Sequence, residues 1–547
     1  MDFHFASAWE RVADTVPDVE AVVMGDQRWT YAAFDDAAAR LASAIESAGV
    51  ARGAQVALYL HNCPEYLIAQ QAAFKHGCGP VNVNYRYLDD ELVYLVDNSD
   101  SEVLVFHASL GDRVARVRDR LDRVRLFVVV DDDGTAAGHD FAHGFHELVA
   151  AHEPQPRWDR SPQDLYMLYT GGTTGMPKGV MYDNGVFCNA LLAGAALLNG
   201  LPAPESLDDV GELVRGVRDL GPVVSVPCCP LMHGTGMWVG AMPALNVGGT
   251  VVLLQSRSFD ADELLAVVEA EGVTRCAIVG DAFARPILRA LEAAEERGEL
   301  PDLSSLKTIS SSGAMWSAEI KDGLTRYTAA VLSDGLGSTE GGGYGQVTAD
   351  RSAKGTTARF TPTPDTLVLG PDDLPVAAGS DEPGLLATRT GAHGYYKDPE
   401  KTARTFKQID GHGYVITGDW ATLHDDGTIT LHGRGSNCIN SGGEKIFPEE
   451  VEEALKTHPS VDDCYVVGVP DDRFGQRVVA VAGCAPAGTD RSPTEDDLRD
   501  HLRGVLASYK IPRQIIVVDH VHRAPNGKAD YGWARDQVLA IRPAASA

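Results

Sequence analysis

Short apolar runs that alternate with helix-like stretches are the feature that most limits what this chain can fold into. Such runs lie at 56–60, 165–168, 223–226, 251–254, 276–279 and 331–332. This spacing is typical of successive strand and helix units, which build a sheet whose faces are covered by helices. We therefore predict an α/β fold with helix-covered, mainly parallel sheets.

The length of the chain and a change in its sequence texture predict two domains. At 547 residues the chain exceeds what one hydrophobic core usually supports. Gly, Ser and Asn become frequent in 433–443, which is typical of a hinge. Beyond it we predict helices at 449–457 and 495–507 and strands at 463–469 and 478–484. The expected organisation is a large N-terminal domain, 1–435, and a small, mobile α+β C-terminal domain, 436–547.

The charge balance excludes one broad class of partner. The chain has 47 basic and 77 acidic residues, a net charge of -30, so a nucleic acid would be repelled. No apolar run reaches membrane-spanning length, so no transmembrane segment is expected. The nine Cys residues are irregularly spaced and form no CxxC pair, which favours free thiols and a cytoplasmic location.

Three histidines are spaced so that a helix would align them as metal ligands. His139, His143 and His146 fall at i, i+4 and i+7. The segment around them is polar and interrupted by Gly, which favours a solvated loop. We therefore predict an exposed loop at this position and no metal site.

The strongest local motif reads YTGGTTGMPKG and directly follows the apolar run at 165–168. Glycines let the backbone present N–H groups, hydroxyls add donors and the Lys adds positive charge, so the segment suits a polyphosphate. The alternative, a flexible Gly/Thr turn, does not explain four glycines and four hydroxyls within these residues. The candidate phosphate-binding residues are Thr170, Gly171, Gly172, Thr173, Thr174, Gly175 and Lys178.

More common motifs do not fit the chain. A Walker A loop has Gly before its Lys and Ser or Thr after it, whereas Lys178 lies between Pro177 and Gly179. The segment 335–340 is no dinucleotide fingerprint, because Glu340 takes the place of the third Gly. The GxSxG signal of esterases is also missing from the sequence. These departures disfavour kinases, motor-type ATPases and esterases.

Together with four further motifs in the same order, the Gly/Thr-rich loop resembles the acyl-adenylate-forming superfamily. That superfamily contains acyl-CoA synthetases, peptide-synthetase adenylation domains and luciferases. The further motifs lie at 335–340, 417–419, 433–448 and 526–528, so the resemblance covers nearly the whole chain. It implies an enzyme that uses ATP and Mg2+ to activate a small-molecule carboxylic acid, with coenzyme A as co-substrate.

The resemblance implies roles in adenylation for several motif residues. Glu340 is expected to hold Mg2+, Thr339 to donate to the α-phosphate, and Lys528 to bridge the substrate carboxylate and the α-phosphate. In isolation, Glu340 would be a surface charge and Lys528 a solvated side chain in a hairpin turn. The other ATP- or AMP-binding candidates are Ser312, Gly313 and Ala314 at the adenine, Gly337 and Ser338 beside Thr339, and Asp419 and Arg434 at the ribose and phosphate.

The acyl pocket is expected near His233, which matches the position of an aromatic or His gate in the superfamily. The alternative is a buried structural His. Candidate pocket residues are Met232, Gly234, Met237 and Trp238, and the glycines Gly234, Gly236 and Gly240 are expected to leave room for a bulky ring system. Ordinary core packing is the alternative here. The segment 199–222 is expected to be an insertion near this pocket.

The thioester step is expected to involve the hinge region. The candidate hinge and coenzyme A tunnel residues are Ser436, Asn440, Ser441, Gly442 and Gly443. Bare glycine backbone suits the wall of a pantetheine tunnel. Ser436 replaces the acidic or Lys hinge residue common in the superfamily, and Asn440 replaces an assisting Lys. These two departures leave the details of thioester formation open.

The segments 280–286 and 433–445 resemble those of actinobacterial ligases that activate steroid side-chain and long-chain carboxylates. The function implied is ATP-dependent acyl-CoA ligation of a bulky hydrophobic acid. Two alternatives are an adenylating enzyme that loads a carrier protein in trans and a catalytically silent acyl-AMP-binding regulator. A homodimer is left open.

Overall fold

A computed structural model of the protein describes residues 3–170, 176–380, 382–435, 437–441, 444–471, 475–484, 493–524 and 527–540. Strands and helices alternate along much of this chain. The strands are β1 (Glu20–Met24), β2 (Gln27–Thr30), β3 (Gln55–Tyr59), β4 (Gly79–Asn82), β5 (Ser101–His107), β6 (Leu126–Val130), β7 (His143–Gly144), β8 (Leu165–Thr170), β9 (Lys178–Asp183), β10 (Val224–Pro227), β11 (Thr250–Val252), β12 (Arg275–Ile278), β13 (Thr308–Ser312), β14 (Val331–Ser338), β15 (Gly342–Ala349), β16 (Arg359–Pro362), β17 (Thr366–Leu369), β18 (Gly384–Arg389), β19 (Ala392–Tyr395), β20 (Phe406–Ile409), β21 (His412–Leu423), β22 (Ile429–Arg434), β23 (Ile439–Ser441), β24 (Glu444–Ile446), β25 (Asp463–Asp471), β26 (Gly475–Gly483) and β27 (Gln514–Val518).

The helices between these strands cover the sheets. They are α1 (Phe5–Thr15), α2 (Tyr31–Ser47), α3 (Pro64–His76), α4 (Asp89–Asn98), α5 (Gly111–Val117), α6 (Phe145–Ala151), α7 (Asn184–Leu198), α8 (Val210–Leu220), α9 (Met242–Leu245), α10 (Ala261–Glu271), α11 (Asp281–Arg297), α12 (Ala318–Leu324), α13 (Pro399–Thr405), α14 (Pro448–Lys456), α15 (Glu495–Arg503) and α16 (Tyr531–Ala540). A π-type helix at Thr235–Ala241 runs directly into α9. Single π-type turns often occur at functional sites.

The largest sheet has a parallel centre. β1, β11, β10, β12, β13 and β14 are adjacent in that order and parallel to one another. Beyond β14 the antiparallel strands β15, β16, β22, β21, β18 and β17 extend the sheet. Leu264 of α10 and Leu288 of α11 belong to the same hydrophobic core as Ile278 and Ile309 of the sheet. The predicted helix-covered, mainly parallel sheet is confirmed.

Two further sheets complete the N-terminal part. A parallel sheet has the order β4, β3, β5, β6, β7, and a small antiparallel sheet has the order β19, β9, β8. The expectation that the run at 165–168 is a strand of a parallel unit is therefore wrong. β8 pairs antiparallel with β9, with Thr170 opposite Lys178. The connection between them is too short for a crossover helix, which needs a dozen or more residues.

The strands from β23 onward form a sheet of their own. Its order is β24, β23, β26, β25, and β27 runs parallel to β26. The predicted helix after the hinge is confirmed as α14, and the two predicted strands are confirmed as β25 and β26. The helix predicted at 495–507 ends at Arg503 instead, just before Gly504. The domain boundary near residue 435 stays a prediction.

The predicted exposed loop around the three histidines is only partly correct. His139 is buried, and its Nε2 lies 3.1 Å from the Ala108 carbonyl oxygen. His143 lies in β7, while Nε2 of His146 in α6 lies 3.1 Å from a Glu65 carboxylate oxygen. Different elements thus separate the three rings. Within the described residues, no group of three or more His, Cys, Asp or Glu side chains is arranged to hold a metal ion.

The segment expected to form an insertion near the acyl pocket, 199–222, contains α8. Val210, Val214 and Val217 of this helix are buried in the main hydrophobic core. That core also contains Val12 and Val16 of the N-terminal region, against which the helix packs. The segment therefore contributes to the core. Among the described helices, none combines the length and apolar character needed to cross a membrane.

Candidate active site

A cavity of about 1490 Å³ lies over one face of the parallel strands and extends to their carboxyl ends. It is larger than a typical small-molecule pocket of roughly 300–1,000 Å³, so it has room for a nucleotide and a second ligand. Residues of the N-terminal part line most of it, and Lys528 from the C-terminal part also lines it. The cavity thus lies where the two parts of the chain meet.

The two long walls of the cavity differ in polarity. Alternate residues of a strand point to the same face of a sheet, so neighbouring strands supply one continuous polar wall. This wall contains Ser225, Arg275, Thr308, Ser310, Ser312, Ser333 and Gly335. The other wall comes from helices and is mainly apolar, with Phe187, Leu191, Ala195, Leu197, Leu198, Trp238, Val239 and Pro243. The cavity therefore suits a ligand that is largely apolar on one side.

Trp238 is held in the apolar wall by an aromatic cluster. Its Nε1 donates to the Tyr166 hydroxyl at 2.8 Å. Its ring is edge-on to Phe187 at 4.7 Å between centroids, and Phe187 stacks on Tyr166 at 5.3 Å. Such interlocked rings form a rigid apolar surface. Met232 and Gly234 line the same cavity, whereas Met237 points into the hydrophobic core, contrary to its expected place in the acyl pocket.

Two of the three glycines expected to leave room for a ring system serve backbone packing instead. A Cβ atom on Gly236 would lie 2.7 Å from the Pro230 carbonyl carbon, and one on Gly240 would lie 2.7 Å from Pro227 Cβ. These distances are too short for any larger residue, because the π-type helix presses against the segment before it. Gly236 and Gly240 therefore leave no space for substrate.

Lys528 reaches the end of the cavity where the parallel strands finish. A Cβ atom built on Gly313 would lie 3.4 Å from Lys528 Cε and 3.5 Å from Thr235 Oγ1. Gly313 directly follows β13 and has a φ of 92°, a conformation that favours glycine. Ser312 and Gly313 both line the cavity, whereas Ala314 packs against a hydrophobic core. The lysine thus lies beside the strand end that was expected to bind adenine.

His233 lies in the cavity wall close to Lys528. Burial, together with the positive charge of Lys528, lowers the pKa of His233 to about 3. The ring is therefore neutral at physiological pH and does not repel the lysine. Its Nε2 is buried and has no hydrogen-bond partner among the residues that the structure describes. A neutral imidazole with an unpaired nitrogen thus faces the site.

The segment with Thr339 and Glu340 is anchored by hydroxyl groups. The Tyr182 hydroxyl donates to the Thr339 carbonyl at 2.5 Å, and Thr390 Oγ1 donates to the Glu340 carbonyl at 2.6 Å. The Tyr395 hydroxyl donates to Glu340 Oε1 at 2.8 Å, which orients the carboxylate. The preceding residues Gly337 and Ser338, and also Thr339, line the cavity.

The flanks of the predicted phosphate loop are described, whereas 171–175, which include Gly171, Gly172, Thr173, Thr174 and Gly175, lie outside the described residues. Thr170 lines the cavity. Lys178 forms an ion pair with Asp398, and its Nζ lies 5.9 Å from the centroid of the Tyr395 ring. The carboxylate of Asp398 therefore holds the lysine near Tyr395.

Asp419 lies within β21. It stands directly opposite Arg434 of β22, and the Thr417 hydroxyl donates to its carboxylate. Gly433 allows β22 to lie close to Glu449 of α14, because a Cβ atom at this position would collide with the Glu449 carboxylate. The register of two strands thus brings the two predicted ribose-binding positions together.

The predicted hinge and tunnel residues are only partly described. Asn440 and Ser441 belong to β23, which pairs with β24. Ser436, Gly442 and Gly443 lie outside the described residues. The roles predicted for these five residues stay predictions.

Asn82, at the end of β4, is a site residue that no motif indicated. Its Nδ2 donates to the carbonyls of Tyr169, at 2.9 Å, and Met232, at 2.6 Å, while its Oδ1 accepts from the Tyr169 N–H at 2.7 Å. It therefore joins the end of β8 to the segment around Met232 in the cavity wall. The sequence signal was a polar residue that ends a buried strand, and Arg275, at the start of β12, carries a similar signal.

Comparison with sequence families gives two matches. A profile described as "AMP-binding enzyme" matches residues 9–396, and one described as "AMP-binding enzyme C-terminal domain" matches residues 450–528. The first profile spans the strands and helices that build most of the cavity, and the second ends at Lys528. The matches thus include both parts of the chain that meet at the cavity.

The chain is also similar to curated and solved proteins over its full length. It is 41% identical to "Medium/long-chain-fatty-acid--CoA/3-oxocholest-4-en-26-oate--CoA ligase" of Mycobacterium tuberculosis, over 99% of this chain and 97% of that protein. It is 39% identical to "3-oxocholest-4-en-26-oate--CoA ligase" of Rhodococcus rhodochrous, over 100% and 97%. The crystal structure of the anthranilate CoA ligase AuaEII shares its fold, with a TM-score of 0.82, 21% identity and 98% of each chain covered.

Proposed function

Because the chain belongs to the AMP-binding enzyme family, we propose that it is an ATP-dependent acyl-CoA ligase for a bulky hydrophobic carboxylic acid. In the first step the acid carboxylate attacks the α-phosphorus of ATP, which forms the acyl-adenylate and releases pyrophosphate. In the second step the thiolate of coenzyme A attacks the acyl carbonyl carbon and releases AMP.

One observation carries the proposal. A single cavity joins the apolar wall around Trp238 to the strand end at Gly313, and Lys528 lies at the junction. An acid whose apolar body packs along that wall would extend its carboxylate toward Lys528. A nucleotide at the strand end would place its α-phosphate on the other side of the same ammonium group. This arrangement suits carboxylate activation.

In this proposal Lys528 stabilises the negative charge that develops on the α-phosphate and the attacking carboxylate. Thr339, held by Tyr182, donates to a phosphate oxygen. His233 is neutral and adds no charge, so we assign it to the mouth of the acyl pocket as a positioning residue. Orienting both reactants within one cavity supplies a large part of the rate enhancement.

Glu340 is the residue that would hold Mg2+. A carboxylate oxygen is a hard ligand that suits Mg2+, and the hydrogen bond from Tyr395 to Oε1 orients the group without neutralising it. When bound, the metal ion would offset negative charge on the triphosphate. Asp419 and Arg434 are assigned to the ribose and phosphate, which fits a carboxylate and a guanidinium on facing strand positions.

For the second step we propose that the C-terminal module turns about the hinge at 433–443. Lys528 then leaves the cavity, and the segment with Asn440, Ser441 and the Gly442-Gly443 pair approaches the acyl-adenylate. The module boundary at 435 is part of this proposal. A cytoplasmic location and a homodimeric assembly also stay predictions.

The substrate is proposed to be a steroid side-chain or long-chain fatty acid. The apolar wall formed by α7 and the π-type helix favours a substrate with a large hydrophobic body, because the free energy of binding becomes more favourable as more apolar surface is buried. The two relatives named for 3-oxocholest-4-en-26-oate support the same class.

The test is a carboxylate panel of short, aryl, long-chain and steroid side-chain acids. Pyrophosphate release should depend on the acid, and an acyl-CoA product should form only when coenzyme A is present. We expect the highest kcat/KM for the largest apolar acids. A preference for acetate or benzoate would contradict the substrate assignment.

Two other functions are separated by the same panel. A carrier-protein loader would release pyrophosphate but transfer the acyl group poorly to coenzyme A. A silent acyl-AMP-binding regulator would release no pyrophosphate with any acid. The presence of Glu340, Asp419, Arg434 and Lys528 favours a catalyst over a regulator.

A further inference from the structure

Arg275 is a cationic side chain within the polar wall of the cavity, remote from every predicted catalytic motif. It begins β12, between Ser225 of β10 and Thr308 of β13. All three side chains line the cavity. A charged residue at the start of a buried parallel strand is unusual, because such strands are normally continuous apolar runs.

The guanidinium is only partly satisfied by the protein. Nη2 donates to Asn199 Oδ1 at 2.8 Å, which fixes the orientation of the group. Nη1 is buried and has no acceptor among the residues that the structure describes. Burial lowers the pKa of Arg275, but a guanidinium stays charged at neutral pH. A buried donor on a charged group is destabilising without an acceptor, and a ligand oxygen in the cavity would supply that acceptor.

The position of Arg275 defines which part of a ligand it meets. Val279 directly follows the other end of β12 and lies beside the end of the cavity that contains Lys528, because its Cγ1 is 4.0 Å from a Cβ built on Gly313. Val279 is four positions after Arg275, which in extended chain corresponds to about 13 Å. The apolar residues Leu197 and Leu198 line the same cavity. An acid bound with its carboxylate near Lys528 would therefore extend its opposite end toward Arg275.

We propose that Arg275 is a specificity-determining residue that donates a hydrogen bond from Nη1 to a ketone or hydroxyl oxygen at the end of the acyl substrate opposite its carboxylate. The substrate class is thus a long apolar acid that carries one remote oxygen. This inference rests on the proposed function, because it assumes that the cavity holds the acid. Asn199 is a positioning residue that holds the guanidinium in place.

The experiment compares matched acids that differ only in the remote oxygen. One pair is 3-oxocholest-4-en-26-oate and its analogue without the 3-oxo group, and a second pair is an ω-hydroxy long-chain fatty acid and the parent acid. Values of kcat/KM come from pyrophosphate release with coenzyme A present. A hydrogen bond to a charged donor predicts that the wild type prefers the oxygenated member of at least one pair by roughly 10- to 100-fold.

Three variants separate the role of Arg275 from general damage. Arg275→Met should reduce the preference to about twofold or less, because the donor is lost while the stem is kept. Arg275→Lys should retain part of the preference, because it keeps a charged donor. The control Arg297→Met changes an exposed arginine at the end of α11 and should leave the preference unchanged. The ratio within a pair is informative even if a variant lowers overall activity.

The possible results decide between this inference and the proposed function. Equal kcat/KM for both members of both pairs in the wild type would overturn the inference, even if Arg275→Met does not fold, while leaving the ligase function intact. A preference that survives in Arg275→Met would also overturn it. If no acid in either pair releases pyrophosphate, the proposed function fails and this inference with it.

Discussion

Replacing Lys528 by Ala tests whether this lysine serves only the first half-reaction. Its Cε lies beside Gly313, at the end of the cavity proposed to bind the nucleotide, although the residue belongs to the C-terminal part of the chain. In the proposed mechanism that contact exists in only one orientation of the module. The substitution should therefore slow adenylation and leave the thioester step largely intact.

The expected magnitude follows from the charge that is removed. Loss of one preorganised group aimed at developing negative charge costs about 2.7–4 kcal/mol, or roughly 10²–10³ in rate. His233 does not compensate, because burial is the larger cause of its low pKa and the ring stays neutral without Lys528. The loss should thus reflect the ammonium group alone.

The assay measures the two half-reactions separately. Pyrophosphate release from ATP and the acid reports adenylation, and acyl-CoA formation from supplied acyl-AMP reports the second step. We expect a loss of roughly 10²–10³ in the first assay and a change of no more than about threefold in the second. The matched control is Lys510→Ala, which removes a lysine of the same module that pairs with Glu450 at 2.5 Å. It should change neither assay by more than a few-fold.

Equal slowing of both half-reactions by Lys528→Ala would refute the reasoning, because one module orientation would then serve both steps. A similar adenylation defect in Lys510→Ala would refute it in another way. The loss would then follow from disturbance of the module and not from the charge at the cavity.

Three further predictions concern the metal site, the packing of the π-type helix and the pH dependence of stability. Glu340→Gln should abolish most Mg2+-dependent pyrophosphate release, because an amide holds the metal poorly. The Tm should change little, because the amide oxygen still accepts the hydrogen bond from Tyr395. Near-normal turnover at low Mg2+ would contradict the assignment. In urea unfolding, Gly236→Ala should lower the free energy of unfolding by about 1–3 kcal/mol. The control Gly194→Ala should be neutral or stabilising, because no atom lies within 4 Å of its new Cβ. Equal effects of the two substitutions would show that the π-type helix does not exclude a Cβ. His233 has a folded-state pKa of about 3 against an ordinary value of 6.5, so the unfolded state takes up the proton first as the pH falls. The contribution of His233 to the free energy of unfolding is therefore fully present above pH 6.5, and it decreases by about 1.4 kcal/mol per pH unit between pH 6.5 and 3. The free energy of unfolding should decrease from pH 7 to pH 5 by about 2 kcal/mol less in His233→Phe than in the wild type. An identical decrease in both proteins would refute the burial of a neutral ring.

The α/β fold and the order of the motifs could be predicted from sequence because both depend on local patterns. A buried strand needs a short apolar run, and a phosphate loop needs glycines, hydroxyls and a charge within a few residues. The same holds for α14, whose start at Pro448 follows from the preference of Pro for the first turn of a helix.

Strand pairing could not be predicted, because apolar runs look alike in parallel and antiparallel sheets. The run at 165–168 lies in an antiparallel pair since the next strand begins too soon for a crossover helix. Asp419 and Arg434 are brought face to face by the register of β21 and β22, which no single segment specifies.

By itself the sequence determined the fold class, the adenylating motifs and the family, because these are written in residues close together along the chain. The tertiary structure alone decided which side chains face the cavity. Met237 was misplaced because a π-type turn shifts the face on which each helical residue lies. Asn82 and Arg275 entered the site through contacts with Tyr169, Met232 and Asn199, residues remote in sequence that only the packed sheets bring within hydrogen-bond distance.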